Sequence, residues 1–342
     1  MANANLTNAK KAKNDEFYTQ LTDIEKEMRH YKDFFKGKVV YCNCDDARES
    51  NFFKYFSLNF EHLGLKKLIS TGYKENGKGV VLIYEGDKNG NRQVDENEIQ
   101  VTELKGNGDF RSEECIEFLK QADVVVTNPP FSLFREFVSQ LMEFNKDFII
   151  IGNGNAVTYK ETFPLIKGNL MWLGNSIHSG DREFQVPDEY PLTAAGWRID
   201  ENGKKYIRVK GVRWFTNIDH GRRHQPLQLM SMVDNLRFHK KLKGQSKYYH
   251  YDNYNAIDVP FTELVPSDYD GIMGVPVSFV DKYCPEQFEI LGMTDRDSAL
   301  QIKKYTKEQS PKYSDLNRRG AILINGELIS TYPRILIRHK KQ

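Results

Sequence analysis

Apolar positions follow two rhythms along this chain. Between Thr22 and Phe35, Ile24, Met28, Tyr31 and Phe35 fall on one face at helical spacing. The run Lys38-Val-Val-Tyr-Cys-Asn43 is continuous instead, and predicts a short buried strand ending in the turn-prone Asn43-Cys44-Asp45-Asp46. An aromatic-rich stretch from Ser50 to Phe60 predicts a helix, and Lys66-Lys-Leu-Ile-Ser-Thr71 a second strand. The pattern returns at Ala122-Asp-Val-Val-Val-Thr127 and at Asp147-Phe-Ile-Ile-Ile-Gly152. Between these two strands lies a helix capped by Ser132 and running to about Phe144, with Phe134, Phe137, Leu141 and Met142 along one side. Strands with almost no polar positions, alternating with helices, predict an α/β fold whose parallel sheet is covered by helices on both faces. Ligands of such sheets belong at the carboxyl ends of the strands.

Two stretches break the rhythm. Residues 73–105 read as an inserted hairpin, with strands Val80–Tyr84 and Glu98–Thr102 around Asp87-Lys-Asn-Gly-Asn-Arg92. Asp87, Asn89, Asn91, Asp95 and Glu98 also fall at the ligand spacing of a calcium loop, but Arg92 occupies the position that needs glycine. A plain hairpin is the preferred reading. Beyond Gly174 the character changes. Asp200-Glu-Asn-Gly203 is a turn leading into Tyr206–Thr216, which predicts one alternating strand, and from Asp219 the chain is polar, basic and rich in tyrosine. The expected organisation is a polar tail over 1–14, a catalytic domain over 15–219 that contains the 73–105 insert, and a second region over 220–342.

With 342 residues, 39% hydrophobic and 28% charged, the chain has ample material for a packed core. No stretch reaches 18 apolar residues, so no membrane span and no membrane partner is expected. The start is polar and lysine-bearing, unlike a signal peptide. Cys42, Cys44, Cys115 and Cys284 form neither a disulfide framework nor a zinc pattern. A reducing, cytoplasmic setting is expected.

The formal net charge of +2 argues against a nucleic-acid partner only until its distribution is read. Between Lys204 and Lys247, twelve Lys and Arg face only Asp219 and Asp234, a window of +10 that leaves −8 for the rest. Arg222 and Arg223 suit phosphate or guanine, and Lys240, Lys241 and Lys243 suit phosphate. His220 and His224 are spaced i,i+4, but no third ligand is evident, and no metal is expected.

Four short motifs carry chemistry. Asn128-Pro129-Pro130-Phe131 directly follows an apolar strand. The two prolines fix the backbone and remove two donors, so the Asn128 amide oxygen and the Pro129 carbonyl can converge as acceptors for an exocyclic amine. Phe131 offers a face for a planar ring. A rigid turn without chemistry is the alternative. In Gly106-Asn-Gly-Asp109-Phe110 the acid can accept from an adenine amino group and the ring can cover it, or Asp109 can serve only the start of the helix after Ser112. Asn43 and Asp45 end the first strand without a GxGxxG pattern, which suits a cationic or amino-acid-bearing cofactor better than a pyrophosphate. The last motif is Phe17-Tyr18-Thr19.

Taken together with Ser50-Asn-Phe-Phe-Lys-Tyr-Phe56, Thr127–Arg135, Tyr251–Ile257, Gly271–Pro276 and Pro285–Phe288, these motifs resemble the EcoRI family of adenine-specific DNA methyltransferases from about Asp15 to Arg338. The resemblance implies a Rossmann-like sheet and transfer of a methyl group from S-adenosylmethionine to N6 of a flipped adenine in duplex DNA. It places Phe17, Tyr18 and Thr19 at the methionine end of the cofactor, Asn43 and Asp45 in the cofactor turn, and Asp109 and Phe110 at its adenine. Asn128, Pro129, Pro130 and Phe131 form the implied catalytic pocket, and Trp214, Phe215 and Asn217 lie in a segment that packs against the flipped base. With the cofactor motifs first, the motif order resembles the gamma arrangement, and 220–342 becomes the target-recognition region. Monomeric action, and a functional pairing with a restriction endonuclease without stable binding, are expected. An RNA amino-group methyltransferase, or a non-catalytic DNA-binding protein with a similar pocket, are the alternatives.

Overall fold

The computed structural model describes residues 17–74, 76–188, 190–192, 196–295 and 298–340. The expected tail over 1–14 lies outside them. The chain divides into two compact units. One comprises residues up to Leu165 with Leu170–His220, the other Ile166–Asn169 with Gly221–Gln342.

The first unit is built on a mixed sheet of eight strands. Its centre is four parallel strands, β2 (Val39–Cys42), β3 (Lys67–Gly72), β6 (Val124–Thr127) and β7 (Asp147–Asn153), in the order β3-β2-β6-β7. All residues of β2 and β6 are buried, as unbroken apolar runs in a two-faced sheet require. Helix α1 (Leu21–Met28) before these strands, and α2 (Asn51–Leu58), α3 (Glu113–Gln121) and α4 (Phe134–Glu143) between them, each bury one side. Ser50 opens α2 by accepting from the Phe52 amide at 3.2 Å, and Ser112 opens α3 by accepting from Cys115 at 3.3 Å. Helix α4 begins with Leu133 at its cap rather than the expected Ser132. Chain order reverses between β2 and β6, so the crevice outside their carboxyl ends is a topological switch point.

The sheet is not parallel throughout. Strands β4 (Val80–Tyr84) and β5 (Gln100–Glu103) extend the β3 edge in antiparallel fashion, so the segment read as an insert is part of the main sheet. A link of only seven residues between β3 and β4 is too short for a parallel crossover. The loop after β4 is closed by its own polar groups. Asp87 accepts from the amides of Asn89, Gly90 and Arg92, and Asp95 from the side chains of Asn89 and Asn91. Arg92 takes the left-handed φ of 61° in place of glycine. Among the described residues no group of three His, Cys, Asp or Glu is arranged to hold a metal ion.

The predicted strand over 206–216 is in fact two. Gly211 at φ 70° separates β11 (Lys205–Lys210) from β12 (Val212–Thr216). Glycine inside a strand pattern is the signature of such a break. Strand β12 enters the main sheet antiparallel to both β7 and β8 (Trp172–Leu173). Strand β11 instead joins a small antiparallel sheet, β1-β9-β11-β10, with β1 (Tyr18–Thr19), β9 (Asp181–Val186) and β10 (Trp197–Ile199).

The second unit carries helix α5 (Met232–Phe238) and the sheet β13-β14-β18-β15, from β13 (Ala256–Asp258), β14 (Ile272–Pro276), β15 (Phe288–Met293) and β18 (Arg334–His339). A hairpin of β16 (Ala321–Ile324) and β17 (Glu327–Ser330) accompanies it. At its heart the Asp258 carboxylate accepts from Arg334 Nε at 2.9 Å and from the Tyr251 hydroxyl at 2.6 Å. Burial first, and Asp258 second, push the Tyr251 phenol well above its ordinary pKa. No helix among the described residues is long and apolar enough to cross a membrane.

Candidate active site at the strand ends

The chain leaves β6 at Thr127 and enters Asn128-Pro129-Pro130-Phe131 at the switch point. Asn128 is 5% exposed, and its Nδ2 donates to the carbonyl of Phe17, 111 residues away. That bond fixes which way the amide faces. Its other atom, Oδ1, is buried without a hydrogen-bond partner. The adjoining Thr127 hydroxyl donates to the Asn43 carbonyl at the end of β2. Asn43 and Thr19 are also buried, and Asn43 Oδ1 and Thr19 Oγ1 likewise have no partner. Buried polar atoms in folded proteins are nearly always satisfied, so such acceptors at strand ends fit a polar ligand. Replacing Thr127 by valine removes the donor and leaves a buried carbonyl unpaired. A loss of about 1–3 kcal/mol is expected, read from urea unfolding.

Supporting bonds hold the neighbouring residues. Asn51 Nδ2 donates to the Thr19 carbonyl at 2.8 Å, and Ser50 Oγ donates to Asp45 Oδ2 at 3.0 Å. Asn51, Ser50 and Thr127 had not been expected as site supports, although a polar pair opening a helix beside the cofactor turn is a visible signal. Cys44 turns the loop with φ 67°, and its thiol is pushed up by burial and then by Asp45, with Asp109 also contributing. Phe17 is buried and meets Phe131 edge-to-face at 5.8 Å, while Phe131 is only half-buried.

The loop bearing Asp109 closes against the end of β3. Gly108 has φ 83°, and a Cβ there would lie 2.2 Å from the Gly72 carbonyl oxygen, so only glycine fits. Asp109 is paired with Arg111, which donates from Nε at 2.8 Å and from Nη2 at 2.6 Å. Phe110 is buried against Phe137 at 5.0 Å, with the Arg111 guanidinium 5.3 Å from its ring centroid. Arg111, not among the expected site residues, therefore occupies both groups assigned to a cofactor adenine. Its hydrogen bonds hold the Asp109 carboxyl below the usual carboxylate range. A depressed folded-state pKa means that this contribution is complete above the unfolded value of about 3.9 and is lost as pH falls through the folded one. Thermal midpoints of the chain and of Asp109→Asn should differ at about pH 7, begin to approach one another below about pH 4, and meet only once pH has fallen through the folded value.

Three expected base contacts are corrected. Trp214 and Phe215 are 0% exposed, because β12 lies between β7 and β8 rather than at the surface. Their rings pack on Phe52 at 6.2 Å and Phe134 at 5.1 Å. Asn217 ties off β7, accepting from the Phe148 amide at 2.8 Å and donating to the Lys146 carbonyl at 3.0 Å. Arg223 is corrected too: it is buried in the second unit, and its guanidinium donates to Asn169. Arg222 is half-exposed, with Nη2 3.3 Å from the Asp281 carbonyl. Lys240 and Lys241 are both exposed, and Lys241 pairs with Glu263 at 2.7 Å over the Phe261 ring. His220 is buried against the Leu173 carbonyl, whereas His224 pairs with Glu286.

A Rossmann-like sheet whose central strands end in paired buried acceptors, with an Asn-Pro-Pro-aromatic turn at the switch point, defines a methyltransferase that acts on an amino group. The chain belongs to the family described as adenine-specific methyltransferase EcoRI, whose model matches residues 5–340. It is 46% identical over 310 residues to Type II methyltransferase M.EcoRI of Escherichia coli, covering 87% of this chain and 93% of that protein. It is also 39% identical to M.MgeORF184P of Mycoplasma genitalium, over 83% of this chain and 84% of that one, and 39% identical to M.MpnI of Mycoplasma pneumoniae, over 83% of each.

Proposed function

We propose that this enzyme methylates N6 of a specific adenine in duplex DNA, as a Type II methyltransferase, at Asn128-Pro129-Pro130-Phe131. One observation carries the reading: the Asn128 amide is oriented by the Phe17 carbonyl so that Oδ1 is left as a buried acceptor. An amide held this way accepts from an amine and cannot rotate to donate to it.

S-adenosylmethionine supplies an electrophilic methyl group when bound. Thr19 and Asn43 fit it, because a buried hydroxyl and a buried amide oxygen suit its α-amino group, and Asp45 adds negative charge close by. Phe17 and Tyr18 border the same end of the site. Asp109 and Phe110 would meet its adenine, with Arg111 displaced or shared.

The N6 lone pair of adenine is delocalised into the ring and is a poor nucleophile. When Asn128 Oδ1 and the Pro129 carbonyl accept both N–H bonds, the nitrogen is drawn towards a pyramidal geometry and the lone pair is released. Positive charge then grows on that nitrogen, so both acceptors bind the transition state more strongly than the ground state. The methylated nitrogen is strongly acidic, and its proton leaves without a dedicated base. Extruding the adenine costs on the order of a few kcal/mol in lost stacking, offset in part on Phe131.

In this reading the unit up to His220 is catalytic. The unit from Gly221 supplies target recognition, with Arg222, Lys240 and Lys241 on DNA. The enzyme works as a monomer in the cytoplasm and pairs in function with a restriction endonuclease without binding it stably. The test is transfer of isotope-labelled methyl groups to duplex DNA beside RNA, with the modified base mapped. Label on N6 of adenine at one DNA sequence supports the proposal; label confined to RNA, or on another base, overturns it.

A further inference from the structure

The second unit contains an open groove of about 400 Å³. Arg222, Gln225 and Gln228 line it from one segment, and Glu263, Asp281 and Lys282 from two others. The first segment is held in place through its backbone. Gln287 accepts from the Leu227 amide at 2.8 Å and donates to the Leu227 carbonyl at 3.0 Å. Further along, the Ser267 amide donates to the Met230 carbonyl at 2.9 Å. Gln225 and Gln228 flank the clamped Leu227, and both are exposed. Two flexible polar side chains are thus mounted on a fixed backbone, the arrangement a reading surface needs.

The lining identifies what the groove takes. A DNA phosphate offers only acceptors, so a backbone site is lined by donors and cations, and the carboxylates of Glu263 and Asp281 would oppose it. Base edges in the major groove present donors and acceptors side by side. Arginine matches guanine, glutamine matches adenine, and a carboxylate matches the amino group of cytosine. This groove holds all three types. Further cations follow the first segment in sequence, at Arg237, Lys240, Lys243 and Lys247, while Lys241 pairs with Glu263 of the lining at 2.7 Å. We propose that Gln225 and Gln228, beside Arg222, read base edges of the methylation site. The inference rests on the DNA reading above.

The test uses the full-length enzyme and Gln225→Ala, Gln228→Ala and Gln228→Glu variants. Methylation is measured on a duplex carrying the site mapped for the unaltered enzyme, and on duplexes changed at one base pair. Discrimination should fall roughly 10- to 100-fold at one or two positions for the alanine variants, and Gln228→Glu should shift the preferred base at one of them. The salt dependence of binding should stay as it was, because no phosphate contact is removed. Both side chains lie on the surface, so thermal midpoint and methyl-donor affinity should not change. Unaltered discrimination in all three variants overturns the proposal. So does a loss uniform across sequences with a shallower salt slope, which marks backbone contacts. If the unaltered enzyme methylates no duplex at a defined sequence, the DNA reading itself falls, and this inference with it.

Discussion

Asn128→Ala should lower the rate of methyl transfer by roughly 10²–10³-fold, the usual effect of deleting one acceptor or donor aimed at developing charge. Methyl-donor affinity should be nearly unchanged, because Thr19, Asn43 and Asp45 keep their own supports in Asn51, Thr127 and Ser50. The loss should appear in single-turnover rate rather than in KM for DNA. Asn128→Asp is the sharper variant. It keeps the acceptor but replaces the Nδ2 donor with an oxygen against the Phe17 carbonyl. It should therefore fall between alanine and the parent. A near-parental rate for Asn128→Ala would remove this residue from the chemistry.

Arg334→Met should destabilise the second unit by about 3–5 kcal/mol, because Asp258 would be left as a buried carboxylate without its cation. The two side chains are only 10% and 8% exposed, so solvent does not rescue the charge. Tyr251 alone remains as donor, and it is locked in place: a Cβ at Gly274 or at Gly320 would lie 2.3 Å from its ring or hydroxyl. The double variant Arg334→Met, Asp258→Leu should recover most of the loss, since an apolar replacement of both partners removes the unpaired charge. Urea unfolding of the two variants beside the parent measures this. A loss below about 1 kcal/mol for Arg334→Met would mean that water reaches Asp258.

These outcomes depend on contacts of unequal visibility in the sequence. The apolar runs of β2, β6 and β7 announced themselves, and the switch point followed from their order. Phe17, Asn43 and Asn128 were recognisable as motif residues, but only the fold shows that a carbonyl of one fixes the amide of another. The antiparallel strands were harder. Trp214 and Phe215 stand in a basic stretch and were expected against the flipped base; their burial depends on pairing with β7 and β8, a long-range event without a local signal. Arg222 and Arg223 are adjacent and chemically identical, and Asn169, 54 residues back, decides which one is buried. Arg111 lay two residues from Asp109 and could have been read as its partner. Gly211 was the plainest missed signal, a glycine within an otherwise regular alternation.

The four cysteines give the molecule a use unrelated to catalysis. All are buried, and burial is the leading reason each thiol is held above its ordinary pKa. Thiol reagents attack the thiolate, so the folded chain should resist alkylation. Three of the four lie in the first unit, and Cys284 alone lies in the second. Labelling at each position, followed by mass spectrometry, therefore times the opening of each unit separately. In Arg334→Met, Cys284 should be labelled well before Cys42, Cys44 and Cys115.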